Sequence, residues 1–155
     1  MINNELILNV SNYLQEHNIK VSFVESCTGG ALVSALVSVP GASNILEESF
    51  VTYSEQAKIK YVHVKKETLE KYSVYSSMVA KEMVEGLFYE TGSALCVSIT
   101  GNCGSNETTC GLAYVGIRYN GQIHEFTIEE NGIREEVRSK FVNNIYEKIY
   151  QIISK

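Results

Sequence analysis

Val21-Ser22-Phe23-Val24-Glu25 runs without a break into Ser26-Cys27-Thr28-Gly29-Gly30, and then into the small apolar segment Ala31 to Val39. A short run of β-branched and aromatic residues reads as a strand, and paired glycines read as a tight turn. The apolar stretch that follows reads as a helix, ended by Pro40-Gly41. Strand, turn and helix in immediate succession make the unit from which parallel sheets grow, so the chain is constrained to the α/β class.

The remaining patterns fill out that class. Glu5 to His17 carries Leu6, Val10, Tyr13 and Leu14 at helical spacing, an amphipathic opening helix. Ser49 to Tyr53 is a second strand candidate, and Ser54 is placed to cap a short helix holding Ala57, Lys58 and Tyr61. Ser76 or Ser77 opens a helix running to Glu90 and closed by Thr91-Gly92. Ala94 to Thr100 is continuously apolar, as expected of a strand covered on both faces, and Gly101 to Gly111 reads as a polar loop. Leu112 to Tyr119 and Gln122 to Ile128 flank Asn120-Gly121, a strong hairpin signal, and Arg134 to Ile153 reads as a closing helix. The order α-β-α-β-α-α-β-β-β-α implies a mixed sheet between helices, with at least one antiparallel pair.

Composition excludes several classes. At 155 residues and 45% hydrophobic, the chain fits one domain, expected over 1–155, and is too apolar for disorder. Leu32 to Val39 is broken by Ser34 and Ser38, so no apolar run is long enough to cross a membrane. The segment Met1 to Leu8 has no basic stretch leading into an apolar core, so no secretory signal is read and a cytoplasmic address is expected. Thirteen Lys and Arg stand against 18 Asp and Glu, and the one dense basic spot, Lys58 to Lys66, is followed by Glu67 and Glu70. Nucleic acid is therefore a poor partner, although a phosphorylated metabolite needs only one or two cations. Cys27, Cys96, Cys103 and Cys110 form no Cys-x-x-Cys pair and His17, His63 and His124 are isolated. The cysteines read as buried or loop thiols rather than metal ligands or a disulfide.

Three spots have the residue types that chemistry needs. In Glu25-Ser26-Cys27-Thr28-Gly29-Gly30, a hydroxyl at a strand end lies beside the new amides of a helix, which favour an oxyanion or phosphate. A plain helix cap by Ser26 or Thr28 is the simpler reading of that pattern. Lys58 lies one helical turn beyond Ser54, aimed back toward the strand end; it acts as a base only if burial or a second cation strips its proton. A surface lysine, and a core role for Tyr53, are the simpler readings there. Ser98-Ile99-Thr100-Gly101-Asn102-Cys103-Gly104 again puts hydroxyl and small residues after a buried strand, where α/β sheets gather ligands, or simply makes a β-turn.

Taken together, these motifs resemble the C-terminal domain of the CinA (competence/damage-inducible protein) family. The resemblance rests on Val24-Glu25-Ser26-Cys27-Thr28-Gly29-Gly30, Val39-Pro40-Gly41-Ala42-Ser43, Val51-Thr52-Tyr53-Ser54 with Ala57-Lys58, Val79-Ala80, Glu85-Gly86, Ser98-Ile99-Thr100-Gly101 and Gly132-Ile133-Arg134-Glu135-Glu136-Val137-Arg138. It implies a three-layer α/β/α sandwich whose mixed sheet includes one antiparallel hairpin. It also implies a nicotinamide-nucleotide amidohydrolase that converts nicotinamide mononucleotide to nicotinate mononucleotide and ammonia. Ser26 would be the nucleophile, Lys58 its base and Tyr53 a proton relay. Thr28, Gly29 and Gly30 are expected to supply oxyanion amides, Thr100 and Gly101 to line the substrate, and Arg134 to meet a phosphate. No cofactor and no metal are implied; the expected partner is a small pyridine nucleotide, and family habit suggests a homo-oligomer.

The chain also departs from the family pattern. Cys103 to Ala113 is shorter and lacks the family's proline, paired glycines and lysine; Glu55-Gln56 stands where Asn-Glu is usual, and Ser73 replaces a glycine. The alternative function is accordingly a catalytically weak or inactive ligand-binding module on the same scaffold. Retention of Ser26, Tyr53 and Lys58 together favours the enzyme, because a binding module has no use for a nucleophile and its base.

Overall fold

Side chains pointing alternately to the two faces of the central strands divide the interior into two cores, one on each side of a sheet. The computed structural model describes residues 1–104 and 109–155, and of Thr109 and Cys110 only the backbone. In chain order the elements are α1 (Asn4–Glu16), β1 (Val21–Glu25), α2 (Ala31–Val37), a 3₁₀ turn (Ala42–Asn44), β2 (Phe50–Val51), α3 (Glu55–Val62), α4 (Lys66–Tyr72), α5 (Ser77–Thr91), β3 (Leu95–Asn102), β4 (Thr109–Tyr119), β5 (Gln122–Gly132) and α6 (Arg134–Ile153). The sheet order is β2-β1-β3-β4-β5. β1 runs parallel to β2 and β3, whereas β4 is antiparallel to both of its neighbours. The architecture is thus the mixed α/β/α sandwich expected.

Side chains two apart share a sheet face. Phe23, Leu95, Val97 and Ile99 join the core beneath α1, α2 and α6, with Leu36, Phe141 and Ile145 packed on them. Val24 and Cys96 face the other way, into a core formed with Val62, Leu69, Met83 and Leu87 from α3, α4 and α5. β1 is buried at all five positions, as a strand sandwiched between two helical layers must be. Among the described residues, no helix is long and apolar enough to cross a membrane.

Asn120 and Gly121 both adopt positive φ, 51° and 76°, between paired Tyr119 and Gln122. That is the two-residue turn whose twist suits a hairpin. Other boundaries moved. β3 extends through Asn102, β4 starts at Thr109 and β5 continues to Gly132, so much of the expected 101–111 loop is ladder. Positions 105–108, where part of the family departure falls, lie outside the described residues. α4 was not expected at all: Lys66-Glu67-Thr68-Leu69-Glu70-Lys71-Tyr72 buries only Thr68 and Leu69, too little apolar periodicity to announce a helix.

α5 crosses α3 closely enough that Gly86 is required on space alone. A Cβ there would lie 1.7 Å from the Val62 carbonyl oxygen at the end of α3, an atom that cannot move without the backbone. Gly86→Ala is therefore expected to destabilise the fold by about 3 kcal/mol or more despite alanine's better helix propensity. A drop in the denaturant midpoint without a change in slope is the measurement.

Candidate active site

Ser26 follows β1 directly, at the carboxyl end of a strand flanked on both sides. Its neighbour β3 ends at Asn102 with Val24 paired to Ser98, so the residues after both strands meet at one edge of the sheet, where open α/β sheets hold ligands. A cavity of about 450 Å³ lies there, and its walls include Ser26, Cys27, Tyr53, Gly101, Cys103 and Arg134.

Glu25 shapes the turn that carries Ser26. It is fully buried, and its Oε1 accepts hydrogen bonds from the Thr28 hydroxyl at 2.6 Å, the Gly30 amide at 3.1 Å and the Leu32 amide at 2.9 Å. Its Oε2 accepts from the Val33 amide at 3.0 Å. A carboxylate thus fills the anion site that the first turn of α2 creates. The chain can fold back this tightly because Gly29 and Gly30 take positive φ, 62° and 102°, at little steric cost. α6 ties the turn down from the other side: Arg138 Nε donates to the Thr28 carbonyl at 2.9 Å and the Tyr146 hydroxyl to the Leu32 carbonyl at 2.6 Å.

Of the amides expected to face an oxyanion at Thr28, Gly29 and Gly30, those of Gly29 and Gly30 are already engaged within the turn. The Gly30 amide and the Thr28 hydroxyl are committed to Glu25, and the Gly29 amide donates to the Ser26 carbonyl at 3.0 Å. The physical reason is that a buried carboxylate one residue before the nucleophile candidate outcompetes any outside anion for the same amides.

Lys58 comes from the other strand end. After β2, the Ser54 side chain caps α3 by accepting from the Ala57 amide at 3.0 Å, and Lys58 lies one turn further on. The lysine is 0% exposed, an unusual state for this residue. Its Nζ lies 2.8 Å from Ser26 Oγ, 2.6 Å from the Thr52 carbonyl oxygen and 3.3 Å from the Tyr53 carbonyl oxygen. Desolvation lowers its pKa from 10.5 to about 8, opposed by the nearby Cys27 and Glu55. With two N–H groups held by carbonyls, the remaining position on nitrogen faces Ser26. As an amine, Lys58 presents its lone pair to the serine hydroxyl; as an ammonium, it donates to that oxygen.

Tyr53 and Thr100 stand elsewhere than the sequence suggested. The Tyr53 side chain is 61% exposed and its phenol accepts from Arg134 Nη2 at 3.4 Å, so it is the tyrosine's carbonyl that meets Lys58. Among the described residues the phenol meets Arg134 on the cavity wall. The Thr100 hydroxyl is buried and donates to the Val74 carbonyl at 2.8 Å, anchoring the segment before α5. Gly101 does line the cavity; a Cβ would come 2.4 Å from the Leu112 carbonyl oxygen, so close pairing with β4 excludes any side chain there. Arg134, at the start of α6, faces the same cavity and also donates to the Gly104 carbonyl.

The CinA C-terminal domain family model matches residues 3–153. The chain belongs to this family. A CinA-like protein of Fusobacterium nucleatum is 40% identical over 146 residues, 92% of this chain and 35% of that protein. A Clostridium novyi protein named for competence-damage induction is 42% identical over 133 residues, 83% of this chain and 32% of that protein. The chain thus spans about a third of the length of these curated relatives. A CinA superfamily protein from Escherichia coli has a similar crystal structure, with TM-score 0.89 and 27% identity over 96% of this chain and 89% of that one. A Klebsiella pneumoniae competence damage-inducible protein shares the fold, with TM-score 0.91 over 99% of this chain and 98% of that one, at 23% identity.

In this CinA domain two features escaped sequence reasoning. Glu25 stood in plain view as an acid just before a glycine turn and helix, a pattern that signals a carboxylate on amides. Cys27 and Cys103 were read as buried or loop thiols, and both line the cavity. Only the neighbouring of β1 and β3 brings them together.

Proposed function

We propose that this CinA domain is an amidohydrolase in which Ser26 attacks a carboxamide and Lys58 is the general base, with nicotinamide mononucleotide as substrate. The observation that carries the reading is the 2.8 Å contact between Lys58 Nζ and Ser26 Oγ at a fully buried lysine. A serine hydroxyl is a poor nucleophile unless an adjacent base takes its proton, and a desolvated lysine can do so near neutral pH.

In the proposed course, the Lys58 amine takes the Ser26 proton as Oγ bonds to the carboxamide carbon. The resulting ammonium returns that proton to the departing nitrogen, ammonia leaves and an acyl-serine remains. Water, deprotonated by Lys58, then attacks the acyl carbon and frees nicotinate mononucleotide and Ser26. The Thr52 and Tyr53 carbonyls keep the amine aimed throughout. Arg134 supplies a cation on the wall for the substrate phosphate, and the half-exposed Tyr53 and Tyr75 offer aromatic surface to the pyridine ring.

Ammonia release from nicotinamide mononucleotide tests the reading. Turnover by the wild type and none by Ser26→Ala supports it, whereas no turnover by the wild type at high enzyme concentration assigns the scaffold to ligand binding. Arg134→Ala is expected to raise KM by about tenfold or more with a smaller change in kcat, as loss of a charge-assisted phosphate contact does.

A further inference from the structure

Cys27 and Cys103 are 76 positions apart in the chain. They meet because Cys27 follows β1 and Cys103 follows β3, neighbouring parallel strands whose carboxyl ends lie at the same side of the sheet. Both are free thiols, both are buried and both line the Ser26 cavity. The Cys103 thiol donates to the Cys27 carbonyl at 3.5 Å. A disulfide demands Cα separations of about 4.4–6.8 Å, and the 3.5 Å contact brings the Cys103 sulfur against its partner's main chain. The two thiols are chemically unlike. The Cys27 S–H, Arg134 and Arg138 together draw Cys103 below the ordinary thiol range against the pull of burial and Glu135, while Cys27 is pushed well up.

We propose that Cys27 and Cys103 form a peroxide-reactive dithiol whose disulfide closes across the cavity beside Ser26 and switches it off. The switch rests on the proposed function; the dithiol does not. The Cys103 thiolate attacks one oxygen of hydrogen peroxide, the O–O bond breaks, and a sulfenic acid and hydroxide form; hydroxide takes up the proton the thiol had lost. Cys27, no longer held protonated by a neighbouring thiolate, then gives up its proton and attacks the Cys103 sulfur. The S–O bond breaks, hydroxide leaves and becomes water, and the S–S bond forms. Two thiols and one peroxide thus yield one disulfide and two waters, and a dithiol reductant reverses the change. Burial selects the oxidant. Peroxide is little larger than water and enters the cavity, while a bulky disulfide such as oxidised glutathione cannot reach either sulfur. Cys96 is the internal control: it faces the opposite core, and burial raises its pKa to about 11, so it stays a thiol.

The test is peptide mapping of the intact reduced chain after hydrogen peroxide. A Cys27–Cys103 crosslink, removed by dithiothreitol and absent after oxidised glutathione, is expected. Removing the resolving partner should arrest the reaction one step earlier, so Cys27→Ala is expected to carry a dimedone-trappable sulfenic acid on Cys103. Cys103→Ala is expected to show no such adduct on Cys27. Reduced Cys27 and Cys103 at peroxide levels that oxidise other residues, or crosslinks to Cys96 or Cys110 instead, overturn the dithiol. Ammonia release is read on the same samples. A crosslinked chain is expected to lose at least tenfold in turnover and regain it on reduction. Turnover that survives the crosslink overturns the switch. A crosslink in a chain that never releases ammonia overturns the hydrolase reading and leaves the dithiol standing.

Discussion

Lys58→Met is expected to remove amide hydrolysis by about 10³-fold or more while leaving the fold as stable as wild type within about 1 kcal/mol at pH 7. Methionine fills the lysine's buried channel without its charge. Holding the ammonium in that channel disfavours the folded state, because its pKa falls from 10.5 to about 8 on burial. That displacement corresponds to about 3 kcal/mol, and loss of the hydrogen bonds to the Thr52 and Tyr53 carbonyls offsets much of what methionine recovers. Below pH 8 the folded and unfolded chains both hold the proton, so the folded chain bears the full cost of the buried ammonium. Between pH 8 and 10.5 the unfolded chain retains a proton that the folded chain has released, so the lysine's contribution to stability rises with pH across that window. Lys58→Met should flatten this rise, which denaturant midpoints taken across the window would reveal. In the proposed mechanism the same ionisation governs turnover. In the wild type, kcat/KM is expected to climb about tenfold per pH unit toward pH 8 and level above it, since only the amine accepts the serine proton. A profile flat from pH 6 to 9 would remove Lys58 from the role of base.

Glu25→Ala is expected to cost about 4 kcal/mol or more, among the largest single-residue effects in the molecule. It strands the Thr28 hydroxyl and the Gly30, Leu32 and Val33 amides, each of which loses its acceptor at or near the interior. Glu25→Gln separates charge from shape. Its amide oxygen can hold the three donors now on Oε1, but its NH₂ then opposes the Val33 N–H, so an intermediate loss of about 2 kcal/mol is expected. Because Ser26 follows Glu25 directly, Gln should also lower kcat more than it raises KM. Equal stability of Glu25→Gln and Glu25→Ala would show that shape, not hydrogen bonding, is what the turn requires.

Legibility differed from element to element. A short β-branched and aromatic run and paired glycines announced β1 and the turn before α2, and Asn120-Gly121 announced the hairpin, because each encodes a local backbone preference. α4 escaped because it buries only Thr68 and Leu69, and the ends of β3, β4 and β5 escaped because pairing there is set by partner strands rather than by apolar alternation. Ser26 and Lys58 were legible through the family motifs, not through any property of an isolated serine or lysine. That the Tyr53 carbonyl, and not its phenol, reaches Lys58 was not legible, since it depends on how the chain enters α3.

The amino-acid order on its own determined the layered α/β architecture, the glycine turn and membership of the CinA family, all of which rest on local conformation and short motifs. Tertiary structure alone decided that Lys58 lies buried against Ser26 and that the Cys103 thiol meets the Cys27 carbonyl. The reason is physical. Proton affinity and sulfur reactivity depend on desolvation and on charges a few ångströms away, and those neighbours arrive from segments of the chain far removed in sequence.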